Sequence, residues 1–265
     1  LPADRALFRQ AMGLNRPLGE QYLSFFANLL RGDLGFSLFD RREVTTLLLE
    51  RFPASLELAL TSLFVALLLA LSFGTFSALK KDSLWDRGTL AVSMAGISIP
   101  HFWLGPLLIL TFSIALGILP VAGRGSLASL ILPSITLGTG MAAILTRMTR
   151  SSLIESLRED FVRTARAKGV PEAPVIFRHA LRNALNPVVT LVGLQFGALL
   201  TGAVVTEKIF AWPGVGSLLV TAIERRDYPV IQGTVLLIAV TYTLVNLATD
   251  LLYARLDPRI RLSGR

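Results

Sequence analysis

The stretch LELALTSLFVALLLALSFGTFSAL, residues 56–79, holds 24 residues and only one charged side chain, Glu57, near its beginning. A bilayer core needs about 20 apolar residues per helix, because a helix rises about 1.5 Å per residue and lipid offers its backbone no hydrogen-bond partner. We therefore predict a helix that crosses a membrane. The rest of the chain agrees, since 52% of its 265 residues are hydrophobic and its mean hydropathy is +0.61. These values are typical of an all-α polytopic membrane protein and not of a soluble domain.

Four further segments have the length and apolarity of a membrane span. The third span along the chain is the weakest, because Gly138 and Gly140 reduce its apolarity and Arg147 and Arg150 lie near its end. Long basic side chains at such a position can extend to the membrane surface. We count it as a span, which gives five in this chain: residues 56–79, 88–117, 130–153, 187–206 and 229–253.

The charges of the connecting segments predict the orientation. One alternate set of connections, residues 80–87, 147–182 and the tail from residue 254, carries 15 Lys or Arg and 7 acids. The other set carries 11 basic and 9 acidic residues over a longer stretch of chain. Because loops that stay in the cytoplasm are rich in Lys and Arg, the first set and the C-terminus are predicted to be cytoplasmic.

This orientation places residues 1–53 outside. We expect a span before them, and thus six helices in the full protein, of which five are retained here. Tyr22, Phe25, Phe26 and Leu29 recur at helical spacing, so residues 1–53 are predicted to form an external helical region. Residues 54–265 are then one transmembrane domain.

The composition excludes several classes of site. The chain has no cysteine, and its two histidines, His101 and His179, are 78 positions apart, so no metal centre and no cofactor are predicted. The net charge of +8 lies in loops between spans, so nucleic acid is not an expected partner. A membrane-embedded enzyme is disfavoured because no paired carboxylates or His-rich motif faces the spans.

The longest predicted cytoplasmic connection, residues 155–187, contains the basic stretch RTARAKGVPEAPVIFRHALRNALNP at 163–187. Its apolar positions predict two short helices. Gly169 and Pro171 end the first, while the second runs to Asn186, with Pro187 in the first turn of the next span. The loop is therefore predicted to be a compact helix-turn-helix standing on the membrane.

Two functions fit this loop. Its small residues Ala165, Ala167 and Gly169 would let another protein approach the backbone closely, as a mechanical coupling element requires. The alternative is a basic amphipathic helix resting on anionic headgroups. DNA recognition by the helix-turn-helix is the third and least favoured interpretation, because the loop connects two membrane spans.

The sequence resembles the permeases of binding-protein-dependent ABC importers, in particular the B-type subunits of the dipeptide, oligopeptide and nickel subfamily. RTARAKG followed by ALRNALNP is similar to the cytoplasmic coupling loop of that family. Ala165 stands where the nominal family motif has Glu. Further matches, in chain order, are GLNRPLGEQY, LLRGDLGFS, RFPASLELAL, GISIPHFWLG, VVTEKIFAWPGVGSLL, RRDYPVIQG and LVNLATDLLYARLDPRIR.

The resemblance implies a type I permease fold in a bacterial plasma (inner) membrane. Expected partners are a second permease subunit in a heterodimer, two ATP-binding cassette ATPase subunits, an external solute-binding protein and the lipid bilayer. The chain has no G-x-x-x-x-G-K-[ST] phosphate loop, so the ATPase site belongs to a separate subunit and this chain is not expected to be an enzyme. The residues implied to dock on an ATPase are Arg163, Ala165, Arg166, Ala167, Lys168 and Gly169.

Three other groups of residues are candidate sites. Phe210, Trp212, Pro213 and Gly214 are interpreted as an external gate or a binding-protein contact, with anchoring at the membrane surface as the alternative. Gly193, Gly197 and Thr201 form a small-residue stripe for helix packing or for lining the pathway. Pro100 predicts a kink, and the adjacent His101 is expected to hydrogen-bond between helices.

Short peptides are the expected cargo. The same machinery carrying nickel, another metal complex or another small solute is the alternative. A stand-alone secondary carrier is less consistent with the sequence, because intramembrane charges or broken half-helices in corresponding halves would be expected.

Overall fold

The computed structural model describes residues 15–256, without the side chains of 198, 200–202 and 252–256. Within that range the fold is helical, as the sequence predicts. The α-helices are α1 (Leu18–Leu30), α2 (Val44–Leu79), α3 (Leu84–Ser98), α4 (His101–Leu108), α5 (Ala128–Ser156), α6 (Asp160–Ala167), α7 (Leu181–Ile209), α8 (Val215–Arg225) and α9 (Tyr228–Leu256), with a further short helical turn at Glu172–Pro174. Two π-helical turns, Ile109–Ala115 and Val175–Ala180, follow α4 and precede α7.

Helix α2 begins well before the predicted membrane span. It starts at Val44 and continues through Pro53, so the helix itself is not interrupted at residue 53. The first turns are held by burial, since Val44, Leu47 and Leu48 are each at most 4% exposed and pack in one cluster with residues of α8 and α9. Tertiary packing therefore extends the helix past a proline that the sequence suggested as its boundary.

The predicted spans correspond to helices of sufficient length. Among the described residues, α2, α5 and residues 228–251 of α9 are long and apolar enough to cross a membrane, and α3 with α4 adds a fourth span if that bent pair counts as one. Helix α7 contains the fourth predicted span along the chain, residues 187–206, and has 29 residues. At about 1.5 Å per residue it is about 43 Å long, enough to cross a bilayer.

The second predicted span is broken at its centre. The axes of residues 84–98 and 101–115 differ by 105°. Ile99 and Pro100 between them are extended, with ψ of 116° and 142°. A proline clashes with a helical conformation of the residue before it and lacks the N–H that would continue the helix. The sequence thus predicts an interruption at Pro100, and the structure shows a much larger bend than a proline kink.

Helix α5 is the centre of the bundle. Of its most apolar window 67% is buried, against 28% for α2 and 17% for α9. A Cβ atom at Gly138 would lie 2.7 Å from the carbonyl oxygen of Ser62 in α2, so the two backbones touch there. The glycines that weaken the apolar signal of this span permit its close packing, because small residues allow helices to approach in lipid.

The segment before α2 is tied to the link between α8 and α9. The buried carboxylate of Asp227 accepts a hydrogen bond of 2.6 Å from the hydroxyl of Ser37 and one of 3.2 Å from the backbone N–H of Leu38. Helix α1 has no buried residue. Residues 35–43 are therefore part of the bundle at the end that carries α8, whereas α1 lies on its surface.

Candidate functional site

The predicted coupling hairpin is attached to the bundle by the inner face of α6. Val162 is fully buried and Ala165 is 7% exposed. Both pack in one cluster with Leu153 of α5 and with Val175 and Ala184. Ala165 therefore contacts the hairpin's own core, whereas the sequence placed it on the docking surface. The small side chain lets α6 lie close to the segment that leads into α7.

The turn after α6 has the hydrogen bonds of a Schellman motif. The backbone N–H of Gly169 donates to the carbonyl of Arg166 at 2.9 Å, and that of Val170 donates to the carbonyl of Ala165 at 3.2 Å. Gly169 has φ +76°, a left-handed conformation that side chains with a Cβ rarely adopt. The turn requires glycine at this position.

An ion pair closes the same turn. The guanidinium of Arg166 donates to both carboxylate oxygens of Glu172, at 2.6 and 3.2 Å. This hydrogen bonding lowers the pKa of Glu172 from its ordinary value and raises that of Arg166. Both side chains are largely exposed, so the pair fixes the direction of the turn more than it stabilises the protein.

The outer face of the hairpin is basic and free of bulky side chains. Arg163, Ala167, Lys168 and Gly169 are exposed. Within the described part of the chain, the side chain of Arg163 is paired only with Asp160 of its own helix, at 3.3 Å. Five of the six residues proposed for ATPase docking thus lie on accessible surface, Arg166 among them. Ala165 is the exception.

The hairpin is continuous with α7. The chain runs from the short helix Glu172–Pro174 through the π-helical turn into α7 without a break. The sequence places the end of the second helix at Asn186, but Pro187 lies inside α7, and that boundary is wrong. The hydroxyl of Ser156 at the end of α5 donates to the carbonyl of Ala180 at 2.9 Å, which fixes this segment against the bundle.

At the opposite end of α7, the aromatic loop is buried. Phe210 and Trp212 are each 1% exposed, and the indole N–H of Trp212 donates to the carbonyl of Ala54 in α2 at 2.8 Å. Because these two side chains are buried, they are accessible neither to a membrane surface nor to a binding protein. Pro213 is half-buried and Ala211 is exposed, so the accessible part of the loop is small. A role in gating would act through the packing of this loop.

Glu207 organises that loop. Its carboxylate accepts hydrogen bonds from the hydroxyl of Ser55 at 2.5 Å and from the backbone N–H of Ser217 at 2.9 Å. Ser55 in turn accepts from the N–H of Val215 at 2.8 Å. A Cβ atom at Gly214 would lie 2.2 Å from a carboxylate oxygen of Glu207. Sequence reasoning missed Glu207, although an acid directly between an apolar span and an aromatic-Pro-Gly turn is a usable signal.

The small-residue stripe of α7 faces α9. A Cβ atom at Gly193 would lie 2.0 Å from a methyl carbon of Thr249, and one at Gly197 would lie 2.8 Å from the ring of Tyr242. The side chain of Thr201 lies outside the described residues. These close approaches favour the packing interpretation for the two glycines.

Arg150 is paired instead of extending to the membrane surface. It donates two hydrogen bonds of 2.7 Å to Asp86, which is 2% exposed. Asp86 also accepts from the hydroxyl of Ser77 and from the backbone N–H of Asp82. The cluster joins α2, α3 and α5. Within residues 15–256 no three His, Cys, Asp or Glu side chains come together as a metal site.

The bundle and its hairpin define a membrane transport subunit with the ABC importer permease fold. Among solved structures, a chain of the inward-facing MetNI methionine ABC transporter is similar: 80% of the present chain superposes on 96% of that chain, with a TM-score of 0.67 and 19% identity. Residues 70–262 match the family model for the binding-protein-dependent transport system inner membrane component. The chain belongs to this family.

Two relatives illustrate the similarity. The di/tripeptide transport system permease protein DppB of Pseudomonas aeruginosa (strain UCBPP-PA14) is 48% identical, over 94% of this chain and 83% of its own length. The glutathione transport system permease protein GsiC of Escherichia coli (strain K12) is 47% identical, over 96% of this chain and 83% of its own.

Proposed function

We propose that this chain is the permease subunit of an ATP-driven importer that takes up short peptides. It forms the pathway with a second, related permease. An external solute-binding protein delivers the peptide, and two ATPase subunits on the cytoplasmic side drive the cycle. Family membership supports the transport role, and the names of both relatives, one for di- and tripeptides and one for glutathione, support a peptide cargo.

The observation that carries this proposal is the hairpin around α6. Its inner face is packed on α5 and on the segment leading into α7, while its outer face presents Arg163, Ala167 and Lys168. A short rigid element with a small, basic, accessible face suits docking in a cleft of another protein. Because the segment after it runs unbroken into α7, movement of the docked partner would be transmitted to the bundle.

The coupling role is tested by substitution on the outer face. Ala167→Arg places a long side chain on the docking surface and should abolish copurification of the ATPase subunit and peptide uptake. Ala173→Arg is the matched control, because Ala173 is also exposed on the hairpin but lies outside α6. Equal ATPase retention by both variants and the parent would contradict the docking assignment.

The cargo is tested by uptake into vesicles that contain the whole importer and its binding protein. Saturable, ATP-dependent uptake of labelled di- or tripeptides or of glutathione is expected. Uptake of nickel, with none of these peptides transported, would replace the peptide assignment by the metal-complex alternative.

The orientation is tested by labelling, which the absence of native cysteines makes simple. Lys168→Cys, in the hairpin, should react with an impermeant maleimide only after the cells are opened. Ala211→Cys, in the loop at the other end of α7, should react in intact cells. The reverse pattern would refute a cytoplasmic hairpin and the cytoplasmic C-terminus predicted with it.

A further inference from the structure

A cavity of about 490 Å³ lies beside the break between α3 and α4. Residues 96–101 form one wall, and residues of α5 and α7 form the others. The volume is within the range of small-molecule sites, about 300–1,000 Å³. Pro100 has no N–H, so the carbonyl of Gly96 loses the donor that a continuous helix would supply. Gly96 is itself one of the residues that line the cavity.

His101 contributes a second acceptor. Its Nδ1 lies 2.8 Å from the carbonyl oxygen of Thr136 in α5. A carbonyl oxygen only accepts, so Nδ1 is a protonated nitrogen, and in the tautomer with that single proton Nε2 is an acceptor. Nε2 has no hydrogen-bond partner among the described residues, and the ring lies over Gly140, where a Cβ atom would be 3.3 Å from Cε1. The hydrogen bond and the glycine together fix the ring at the cavity wall.

Gln195 supplies both kinds of hydrogen-bonding group from α7. It lines the cavity on the face of α7 away from the glycines that pack on α9. Its amide can donate two hydrogen bonds and accept two. Among the side chains and backbone groups that the structure describes, none is hydrogen-bonded to that amide, and a polar group in an apolar bundle needs a partner.

The remaining walls are apolar and uncharged. Leu137, Met141, Ile144 and Leu199 line the cavity, and none of its lining residues is Asp, Glu, Lys or Arg. Such a site would not hold a charged amino or carboxyl terminus. The cavity offers acceptors for one N–H, a donor for one carbonyl and apolar surface for a side chain. A peptide bond with its flanking side chain presents the complementary groups, namely one N–H, one carbonyl and one side chain.

We propose that this cavity is a transit subsite that binds the peptide bond of the cargo inside the permease. His101 Nε2 or the Gly96 carbonyl accepts from the peptide N–H, and the Gln195 amide donates to the peptide carbonyl. The proposal rests on the peptide-import function proposed above. It adds that the permease itself selects for an unsubstituted peptide bond, independently of the binding protein.

The test uses the complete importer in lipid nanodiscs, with partner permease, ATPases and binding protein. During ATP turnover it is given a tripeptide with a diazirine on its central side chain, and the crosslinked residues are identified by mass spectrometry. Labelling is expected at Met141, Ile144 or Leu199. An excess of the unlabelled tripeptide should abolish it, whereas the same peptide N-methylated at its peptide bonds should compete poorly.

A matched pair of variants isolates the amide. Gln195→Met retains side-chain length but removes both hydrogen-bonding groups. One net hydrogen bond is worth about 0.5–1.5 kcal/mol, so labelling should fall about 2- to 12-fold. Gln232→Met makes the same exchange at an exposed position of α9 and should label as the parent does.

The outcomes separate the two proposals. If the tripeptide is imported but the label lies elsewhere, or Gln195→Met and the methylated competitor have no effect, the subsite is refuted and the import function stands. If no tripeptide is imported while the complex carries another cargo, both proposals fail.

Discussion

A methyl group at Gly214 should dislodge the carboxylate that organises the loop after α7. The Cβ atom of Gly214→Ala would lie 2.2 Å from one oxygen of Glu207, about 1 Å inside normal contact, so the carboxylate must move by about that distance. Its hydrogen bonds from Ser55 and Ser217, at 2.5 and 2.9 Å, would then lengthen to as much as about 3.5 and 3.9 Å, too long for effective hydrogen bonds.

The expected cost follows from the two donors left behind. Each buried donor without an acceptor costs about 1–3 kcal/mol, so Gly214→Ala should lower the free energy of unfolding by about 2–6 kcal/mol. The midpoint of thermal unfolding of the purified importer should fall by at least about 4 °C. Peptide uptake should fall with it, because the loop holds α2 and α7 together.

A second background tests the mechanism. In Glu207→Ala the carboxylate is absent, so the added methyl group has room and Gly214→Ala should then change the midpoint by less than about 1 °C. Gly214 has φ −98°, which alanine adopts without strain, so no backbone penalty is expected in either background. If Gly214→Ala has no effect in the parent, or lowers the midpoint equally in both backgrounds, the clash with Glu207 is not the cause and the reasoning is wrong.

Three further predictions follow from other contacts. Asp86→Asn leaves its arginine partner without a counter-ion and should lower the free energy of unfolding by about 3 kcal/mol, measured by thermal unfolding of the complex; no change would show that the pair contributes nothing. Gly193→Ala collides with Thr249 and should impair assembly, and Thr249→Ala, which removes the nearest methyl carbon, should restore it in chromatography of the double variant. Because hydrogen bonding from Arg166 lowers the pKa of Glu172, the pair stabilises the turn above the ordinary carboxyl pKa and is lost as pH falls through the lowered one. The amide protection factors of residues 163–175, which are corrected for the intrinsic exchange rate at each pH, should therefore fall in acid, with no such fall in Glu172→Gln.

The sequence was a good guide to the place of the long helices, because an apolar segment of about 20 residues in lipid must satisfy its backbone hydrogen bonds within itself and therefore forms a helix. The hairpin was also predictable, since a glycine that takes up the left-handed conformation, here Gly169, followed by Pro171 is a common end of a helix. What failed were the boundaries. Helix α2 passes Pro53 and α7 passes Pro187, because neighbouring helices hold the chain helical on both sides of each proline.

The candidate sites were less predictable than the fold. The aromatic loop reads as exposed, since aromatic, proline and glycine residues next to a span are typical of a membrane surface. The structure buries Phe210 and Trp212 under contacts that join residues about 150 positions apart, such as Ser55 with Glu207. The residues around each partner in the sequence do not indicate which distant residue it will contact. The same holds for Asp86 with Arg150, and for Gln195, whose neighbours come from three helices.

The unbroken path from Glu172 to Ile209 turns α7 and its approach into a single lever of about 57 Å, at about 1.5 Å per residue. The N-terminal end of this segment, before Pro187, belongs to the hairpin, and Glu207 lies near its C-terminal end. If the N-terminal end is tilted, the C-terminal end must therefore move as well, and Pro187 is the point about which the segment would pivot. Genetic suppressors of damage in the hairpin should accordingly arise among residues 207–217, at the other end of α7.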